Sequence, residues 1–380
     1  MHLVTKVIDL DEGFRLARTM RLSVGSKDII APKRALSASQ SRYHNENILT
    51  NDVIKGLVEV YRHIDQEKIH KMISDNKEVA KFSYGLSSSL KKVDTTREVV
   101  IGILEFNSRG NIPNPEETEL LLDLLNNPYF DIVASPIIPK LPFEKYTKFL
   151  DEFIKVYESS SFIPALSPCI PHYSRSDIPR LFEYYAKQDI FSKNFICVDF
   201  NGSNPISQYT FVSMIVREAI FLEREFGEPV FLHAVNLKYG KATKKQIVVP
   251  AKDLLIFTIG FNSFGASHKI LPIAGAIGDY ELRTKVLDRN NYGYYSLEIA
   301  GNLIKDIGTY EISLKDVLTD YKMAKLFNAE RQGLEAKEIS DAIRERRCKN
   351  YIESKEYIKK EGKILKKINK VHMEAMQQKL

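Results

Sequence analysis

The stretch Asp253-Leu-Leu-Ile-Phe-Thr-Ile-Gly-Phe-Asn-Ser-Phe-Gly-Ala-Ser-His-Lys269 joins an apolar run to a polar, glycine-broken turn. The apolar run covers residues 254–259, and a turn containing Asn262, His268 and Lys269 follows. Apolar residues without alternation are typical of a strand buried on both faces in a parallel sheet. α/β folds hold their chemistry in the loop after such a strand. The stretch therefore predicts a strand-and-loop unit that faces a pocket.

The same alternation of apolar runs and amphipathic stretches precedes this unit. The predicted strands cover 99–106, 130–134, 162–166, 195–200, 229–236 and 254–259, and the predicted helices 115–126, 142–158, 176–187 and 207–225. This spacing is typical of βα units, whose crossovers build parallel sheets. We predict an α/β fold of the TIM-like (β/α)₈ barrel type, because polar residues end nearly every strand. A doubly wound open sheet is the alternative.

The two ends of the chain differ from this central pattern. Residues 1–50 read as strands with a hairpin that turns at Gly25-Ser26. Residues 51–310 would hold the barrel, with a helix over 51–80 and a loop over 83–96. Residues 311–380 read as a helical, basic extension with one long helix over 335–380. Residues 298–308 are also predicted to be helical.

Charge is concentrated at the C-terminal end. Residues 344–380 carry 12 Lys or Arg against 5 Glu, a net charge of +7, whereas the whole chain carries +6. Such a basic segment predicts attraction to nucleic-acid phosphates, although a solvated helix face is the commoner outcome. The predicted phosphate contacts are Arg344, Arg346, Arg347, Lys359, Lys360, Lys363, Lys366 and Lys367.

Cysteine content and hydropathy narrow the class further. Three widely spaced cysteines suggest neither a disulfide framework nor a zinc site. No signal peptide and no apolar run long enough to cross a bilayer are evident. We expect a cytoplasmic protein without a membrane partner, without a cofactor and without a metal, since HExxH, GxxxxGK[ST] and GxGxxG patterns are missing.

The candidate site residues follow the predicted strands. Glu105 and Asp199 are the catalytic candidates, because partial desolvation at the end of an apolar run suits a carboxyl group to proton transfer. The bland alternative is a salt bridge or a helix cap. The predicted substrate-binding residues are Asn107, Ser135, Asn201, His233, Asn236, Asn262 and His268. Carboxyl ends of parallel strands lie at one edge, so these side chains should converge on one pocket.

Several segments resemble the tRNA-guanine transglycosylase superfamily, whose modified (β/α)₈ barrel exchanges a guanine-type base in a nucleic acid. They are the hairpin at 17–32, the strand Phe130-Asp-Ile-Val-Ala-Ser135, and the series Leu232-His-Ala-Val-Asn236, Asp253-Leu-Leu255 and Phe261-Asn-Ser-Phe264. The resemblance places Asn262 at the family's nucleophilic aspartate and Glu105 near its first aspartate, the base. An amide cannot attack as a carboxylate does, and the family's zinc cysteines are missing.

These departures favour a distant paralogue, such as the enzymes that place deazaguanine bases in DNA, over an active tRNA enzyme. The leading hypothesis is therefore an enzyme, favoured as a transglycosylase-like glycosyltransferase, that takes a nucleobase-like small molecule and DNA or tRNA as partners. One alternative is a small-molecule lyase, aldolase or hydrolase on the same barrel, with the basic tail serving a homo-oligomer. Another is a catalytically degenerate nucleic-acid-binding or assembly subunit.

Overall fold

The N-terminal strands form the predicted hairpin and one strand more. The computed structural model describes residues 2–41, 52–91, 93–240, 247–269, 285–296, 317 and 320–377. Strands β1 (Leu3–Leu10), β2 (Arg18–Val24) and β3 (Lys27–Ala31) make an antiparallel sheet in that order. Between β2 and β3, Gly25 has a φ of 59°, a left-handed conformation that glycine adopts without a steric penalty. The predicted hairpin is confirmed.

Parallel strands make up most of the remaining sheet structure. In chain order the further strands are β4 (Lys33–Arg34), β5 (Leu36–Ser37), β6 (Leu57–Asp65), β7 (Val99–Asn107), β8 (Ile132–Ala134), β9 (Ala165–Ser167), β10 (Cys169–Ile170), β11 (Phe195–Asp199), β12 (Phe231–Val235), β13 (Val248–Pro250), β14 (Ser263–Phe264), β15 (Lys285–Asp288) and β16 (Gly293–Ser296). One five-stranded sheet has the order β5-β6-β7-β8-β9 and the other the order β10-β11-β12-β14-β4, and all their pairings are parallel. The predicted α/β class with parallel sheets is confirmed.

Helices follow most of these strands, as βα units require. They are α1 (Gln66–Ser74), α2 (Asn76–Leu90), α3 (Pro115–Leu125), α4 (Phe143–Glu158), α5 (Asp177–Ala186), α6 (Tyr209–Phe226), α7 (Tyr321–Arg344), α8 (Cys348–Ser354), α9 (Glu356–Lys360) and α10 (Gly362–Ala375). Helix α3 begins as its sequence predicts, because Asn114 and Glu117 form a reciprocal capping box around Pro115. The predicted helices between 115 and 225 match α3 to α6 within a few residues.

Two short segments contribute a strand to each parallel sheet. Ala35 separates β4 from β5, and its amide donates to the Phe264 carbonyl at 2.9 Å. Pro168 separates β9 from β10, and its carbonyl accepts from the Cys197 amide at 2.9 Å. The two sheets are therefore neighbours at both of these segments.

A buried apolar cluster connects the N-terminal hairpin to both sheets. Met20 and Leu22 of β2 belong to the same cluster as Ile101 of β7, Phe195 of β11 and Phe231 of β12. The rings of Phe195 and Phe231 stack with centroids 5.3 Å apart. Because the hairpin buries apolar side chains against both sheets, hydrophobic burial stabilises the hairpin and sheets together.

The three cysteines are buried and unpaired. Cys169 and Cys197 face each other in the register between β10 and β11. Cys348 opens α8, where its amide donates to Asp11 at 2.9 Å. Burial raises the pKa of all three thiols.

The apolar run at 254–259 is not a strand, and this prediction was wrong. Residues Leu254–Thr258 form a 3₁₀ helix whose side chains are all buried. The strand of this unit is β14, which begins four residues after Ile259 and pairs with both β12 and β4. A short run buried on every side has no polar face, so its periodicity cannot separate a helical turn from a strand.

The helix predicted over 51–80 and the loop predicted over 83–96 are also wrong. Strand β6 occupies Leu57–Asp65 and pairs along its whole length with β7. Helices α1 and α2 follow, and α2 extends to Leu90. Asp65 and Asp75 cap these helices by accepting from the Lys68 and Lys77 amides, which is a helix-start signal.

The C-terminal region is a series of separate helices, so the single helix predicted over 335–380 is wrong. Helix α7 ends at Arg344, and Arg346 has a φ of 57°, which no helix continues through. Helices α8, α9 and α10 follow. Helix α10 packs on α6, with Ile364, Ile368 and Val371 buried.

A small antiparallel sheet with the order β13-β16-β15 accompanies this region. The helix predicted over 298–308 lies outside the described residues. Among the helices that the structure describes, none is long and apolar enough to cross a membrane.

Candidate active site

Strands β6 and β7 place the first group of polar side chains. Their parallel register sets His63 beside Glu105. Alternate residues of a strand point to the same face, so Glu59, Tyr61 and His63 line one side of β6. These side chains therefore approach Glu105 near the carboxyl end of the sheet.

Glu105 is the centre of a group of donors. The Lys269 ammonium lies 2.5 Å from its Oε2, and the Tyr61 hydroxyl donates to the same oxygen. His63 Nδ1 lies 3.4 Å from Oε1. Glu105 is buried, whereas His63 is largely exposed, so the group opens to solvent on the His63 side.

Asp199 belongs to the same hydrogen-bond network through Asn236. The Asn236 amide donates to Asp199 Oδ1 at 2.9 Å and to the Tyr61 hydroxyl at 3.2 Å. The two predicted catalytic carboxyl groups are thus connected through Asn236 and Tyr61. Burial raises the pKa of Asp199, although the nearby Lys269 charge and the Asn236 hydrogen bond oppose this shift.

His268 extends the network on its other side. Its backbone amide donates to Asn236 Oδ1 at 3.0 Å, and its ring stacks on Tyr61 with centroids 4.5 Å apart and planes 3° apart. Burial, followed by the charge of Glu105, raises the pKa of Tyr61. Tyr61 is therefore held as a neutral hydroxyl donor.

Glu59 joins two histidines beneath this layer. His233 Nε2 lies 2.8 Å from one Glu59 oxygen, and His268 Nε2 lies 3.2 Å from the other. His233 Nδ1 lies 2.7 Å from the Ser263 hydroxyl. Burial favours the neutral form of Glu59, but hydrogen bonds and charge from the two histidines outweigh it and lower its pKa to about 2. Glu59 is therefore an anion that orients both rings.

The structure thus brings together Glu105, Asp199, Asn236 and His268, with His233 one layer deeper. Asn262 is elsewhere: its Oδ1 accepts from the Leu232 amide at 2.9 Å, and the side chain is fully buried. Its Nδ2 has no hydrogen-bond partner among the described residues. Asn262 holds the backbone of β12, so its side chain is not placed to contact a substrate.

Three other predicted binding residues also have local partners. Ser135 is buried, lies 2.9 Å from the Tyr185 hydroxyl and accepts from the Cys169 amide. The Asn107 side chain accepts from the Arg109 amide. Asn201 has a left-handed φ of 48°, and its amide donates to Asp199 at 3.0 Å. Asn107 and Asn201 lie at the rim, and Ser135 is part of a tyrosine cluster.

Sequence reasoning missed Glu59 and Tyr61 as site residues, because β6 was predicted to be a helix. The available signal was the alternation of Glu59, Tyr61 and His63 in Val58-Glu-Val-Tyr-Arg-His-Ile64. On a strand this spacing puts all three polar side chains on one face.

Many of the predicted phosphate contacts already have partners. Arg344 pairs with Asp341 and Arg346 with Glu12, each at 2.7 Å. Arg347 pairs with Glu345 and Lys360 with Glu356, while the Lys367 ammonium donates to the Ile206 carbonyl. Lys359, Lys363 and Lys366 are exposed and form no ion pair with another described residue.

Two cavities lie away from this network. One, of about 320 Å³, is lined by Asp9, Asp11 and Glu12 together with Arg344 and Arg346. The other, of about 360 Å³, includes His2, Phe191 and Asn194 in its lining. The site is therefore identified by converging polar groups and not by cavity size.

Within the described part of the chain, no three or more His, Cys, Asp or Glu side chains are grouped so that they could hold a metal ion. Comparison of the sequence with protein-family models and with curated proteins gives no match. The Glu105–Asp199 network is therefore the feature from which a function can be argued.

Proposed function

We propose that the eight parallel segments close into a (β/α)₈ barrel. The support is that residues 33–37 and 165–170 each supply a strand to both sheets. Their hydrogen bonds to Phe264 and Cys197 continue the parallel pairing across the two junctions. In such a barrel the carboxyl ends of all strands surround one opening, where Glu105 and Asp199 would lie.

We further propose that the protein is a transglycosylase-like enzyme that exchanges a base in a nucleic acid or nucleoside. One observation carries this proposal: Glu105 and Asp199 share a network through Tyr61 and Asn236 but have different environments. Lys269 and Tyr61 donate to Glu105, whereas burial raises the pKa of Asp199. Paired carboxyl groups in contrasting environments divide into an acid and a nucleophile or base.

In the proposed reaction, Asp199 donates its proton to a ring nitrogen of the leaving base while the glycosidic C–N bond breaks. A Glu105 carboxylate oxygen attacks C1′ and forms a C–O bond. An incoming base then attacks C1′ through its nitrogen, gives its proton back to Asp199 and releases Glu105. The Asn236 amide and the His268 ring are placed to hold the base, and the exposed Lys359, Lys363 and Lys366 would contact phosphates.

The test is incorporation of a radiolabelled guanine or deazaguanine base into tRNA and into double-stranded DNA. We expect Asp199→Asn and Glu105→Gln each to lower incorporation by about 100-fold or more, because proton transfer and nucleophilic attack each contribute at least that much. Asp189→Asn changes an exposed carboxylate and should leave activity unchanged.

Wild-type protein that neither incorporates nor releases a base from any nucleic acid or nucleoside would overturn the proposal. Full activity in Asp199→Asn would remove that residue's role. The small-molecule alternative predicts turnover of a free substrate with the same sensitivity to both variants. The non-catalytic alternative predicts nucleic-acid binding that neither substitution changes.

A further inference from the structure

Lysine side chains gather beside Gly202, at the rim of the Glu105–Asp199 network. A Cβ placed on Gly202 would lie 3.5 Å from the Lys238 ammonium and 3.7 Å from Lys269 Cγ. Gly202 and the preceding Asn201 both have left-handed φ angles, of 76° and 48°. This turn brings the backbone close to both lysines, and a side chain at residue 202 would occupy the space between them.

The position of Lys238 is fixed by the backbone on either side of this turn. The Lys238 amide donates to the Ser203 carbonyl, and the Gly202 amide donates to the Asn236 carbonyl, each at 2.9 Å. The loops after β11 and β12 are therefore joined by two hydrogen bonds. Lys238 follows Asn236 by two residues, so its ammonium group lies next to the catalytic network.

The charges at this corner repel one another. Burial lowers the pKa of Lys238, and the positive charges of Lys269 and Lys325 lower it further. Lys269 is paired with Glu105, but Lys238 has no ion pair with any other residue that the structure describes. Like charges held together in a partly buried place are unfavourable unless an anion neutralises them.

We propose that Lys238 and Lys269, with Lys325 nearby, form a phosphate-binding subsite over Gly202. A compact anion with several acceptor oxygens suits lysines, which bind phosphate as point charges. The subsite adjoins the carboxyl groups, so a ring bound at Asn236 and His268 would carry its phosphate towards Lys238. This assigns a phosphorylated nucleoside unit as the substrate class, a refinement that rests on the proposed function, whereas anion binding does not.

The experiment compares three ligands by calorimetric titration at low salt: inorganic phosphate, a guanosine 5′-monophosphate and guanosine without phosphate. We expect the monophosphate to bind wild-type protein about tenfold or more tightly than guanosine, as charged hydrogen bonds imply. Lys238→Gln should remove this advantage and leave guanosine binding unchanged. Lys6→Gln, on exposed β1, is the matched control.

A second pair of variants separates charge from shape. Gly202→Asp and Gly202→Asn have side chains of nearly the same size, and both residues tolerate the left-handed backbone. Gly202→Asp should bind phosphate about tenfold more weakly than Gly202→Asn, because its carboxylate would occupy the anion position. Equal phosphate affinity in these two variants, or in Lys238→Gln and Lys6→Gln, would overturn the subsite.

Failure of the subsite and failure of the proposed enzyme give different results. Phosphate binding that depends on Lys238, in a protein that exchanges no base, keeps the subsite and removes the enzymatic proposal. Base exchange that proceeds equally well in wild type and Lys238→Gln keeps the enzyme and removes the subsite.

Discussion

Asp253 is a buried carboxyl group outside the candidate site. Its Oδ2 accepts from the Tyr294 hydroxyl at 2.6 Å and from the Gln332 amide at 3.0 Å. Its Oδ1 has no hydrogen-bond partner in the described part of the chain. Burial raises the pKa of Asp253 from 3.8 to about 6, although the Tyr294 hydrogen bond opposes the shift. The folded protein therefore holds this proton more tightly than the unfolded chain does.

This shift predicts a pH-dependent effect of Asp253→Asn. Between pH 3.8 and about 6 the folded state binds more protons at Asp253 than the unfolded state, so the group's contribution to stability falls as pH rises. An amide does not titrate. The stability of Asp253→Asn relative to wild type should therefore increase by about 2–3 kcal/mol from pH 4 to pH 7.

Urea unfolding of both proteins at these two pH values measures the difference. Asp189→Asn, which changes an exposed carboxylate, should show no comparable trend. A constant difference between wild type and Asp253→Asn would contradict the raised pKa.

Gly265 is the residue that makes room for the Glu59 carboxylate. A Cβ on Gly265 would lie 1.6 Å from Glu59 Oε2 and 1.9 Å from Oε1. The carboxylate cannot move aside easily, because His233, His268 and the Ala266 amide hold it. A side chain at position 265 would therefore disrupt the layer beneath the candidate site.

We expect Gly265→Ala to destabilise the protein by about 3 kcal/mol, as overpacking of a buried site does. The matched control is Gly85→Ala in helix α2, where a Cβ meets nothing within 4 Å. That substitution should stabilise the helix by about 0.5–1 kcal/mol. Thermal unfolding compares the two, and equal effects would show that Glu59 is not confined as described.

At the level of elements, β6 and the 254–258 turn show where sequence patterns fail. Residues 57–61 are all buried, so neither the two-residue nor the helical period is visible in them. Residues 254–258 are likewise buried on every side. The surrounding strands and helices were predictable because each had either turn residues or capping residues at its ends, such as Asn114 and Glu117 of α3.

Helix α10 is an integral part of the fold, even though its sequence is highly charged. Ile368 is fully buried and lies on the face that packs on α6. His372 adds a hydrogen bond of 2.9 Å to the Thr258 carbonyl, and Glu374 accepts from Ser213 at 2.6 Å. The lysines occupy the opposite, exposed face.

We therefore expect Ile368→Ala to destabilise the whole protein by about 2–5 kcal/mol, the usual cost of emptying a buried aliphatic site. Met373→Ala is the control, since Met373 is 65% exposed, and it should change stability little. Denaturant unfolding provides the measurement. An unchanged midpoint in Ile368→Ala would mean that α10 is a loosely attached arm.

At the level of the whole molecule, the arrangement of the site was partly predictable. Parallel βα units place successive strand ends at one edge, and this reasoning correctly grouped Glu105, Asp199, Asn236 and His268. It misjudged Asn262 and Ser135, because a polar residue after a strand can equally hold neighbouring backbone. Contacts between distant segments, such as Glu59 with His268, depend on the assembled fold, so no local pattern shows them.

The positions of the three thiols give the molecule a built-in set of reporters. Cys169 and Cys197 are buried in neighbouring sheet strands, and Cys348 is buried under the C-terminal helices. Because the thiolate is the reactive form, burial and raised pKa values protect all three from alkylating reagents while the chain is folded. Labelling of Cys348 thus reports the opening of the helical end, and labelling of Cys169 and Cys197 reports the opening of the sheets, without any engineered probe.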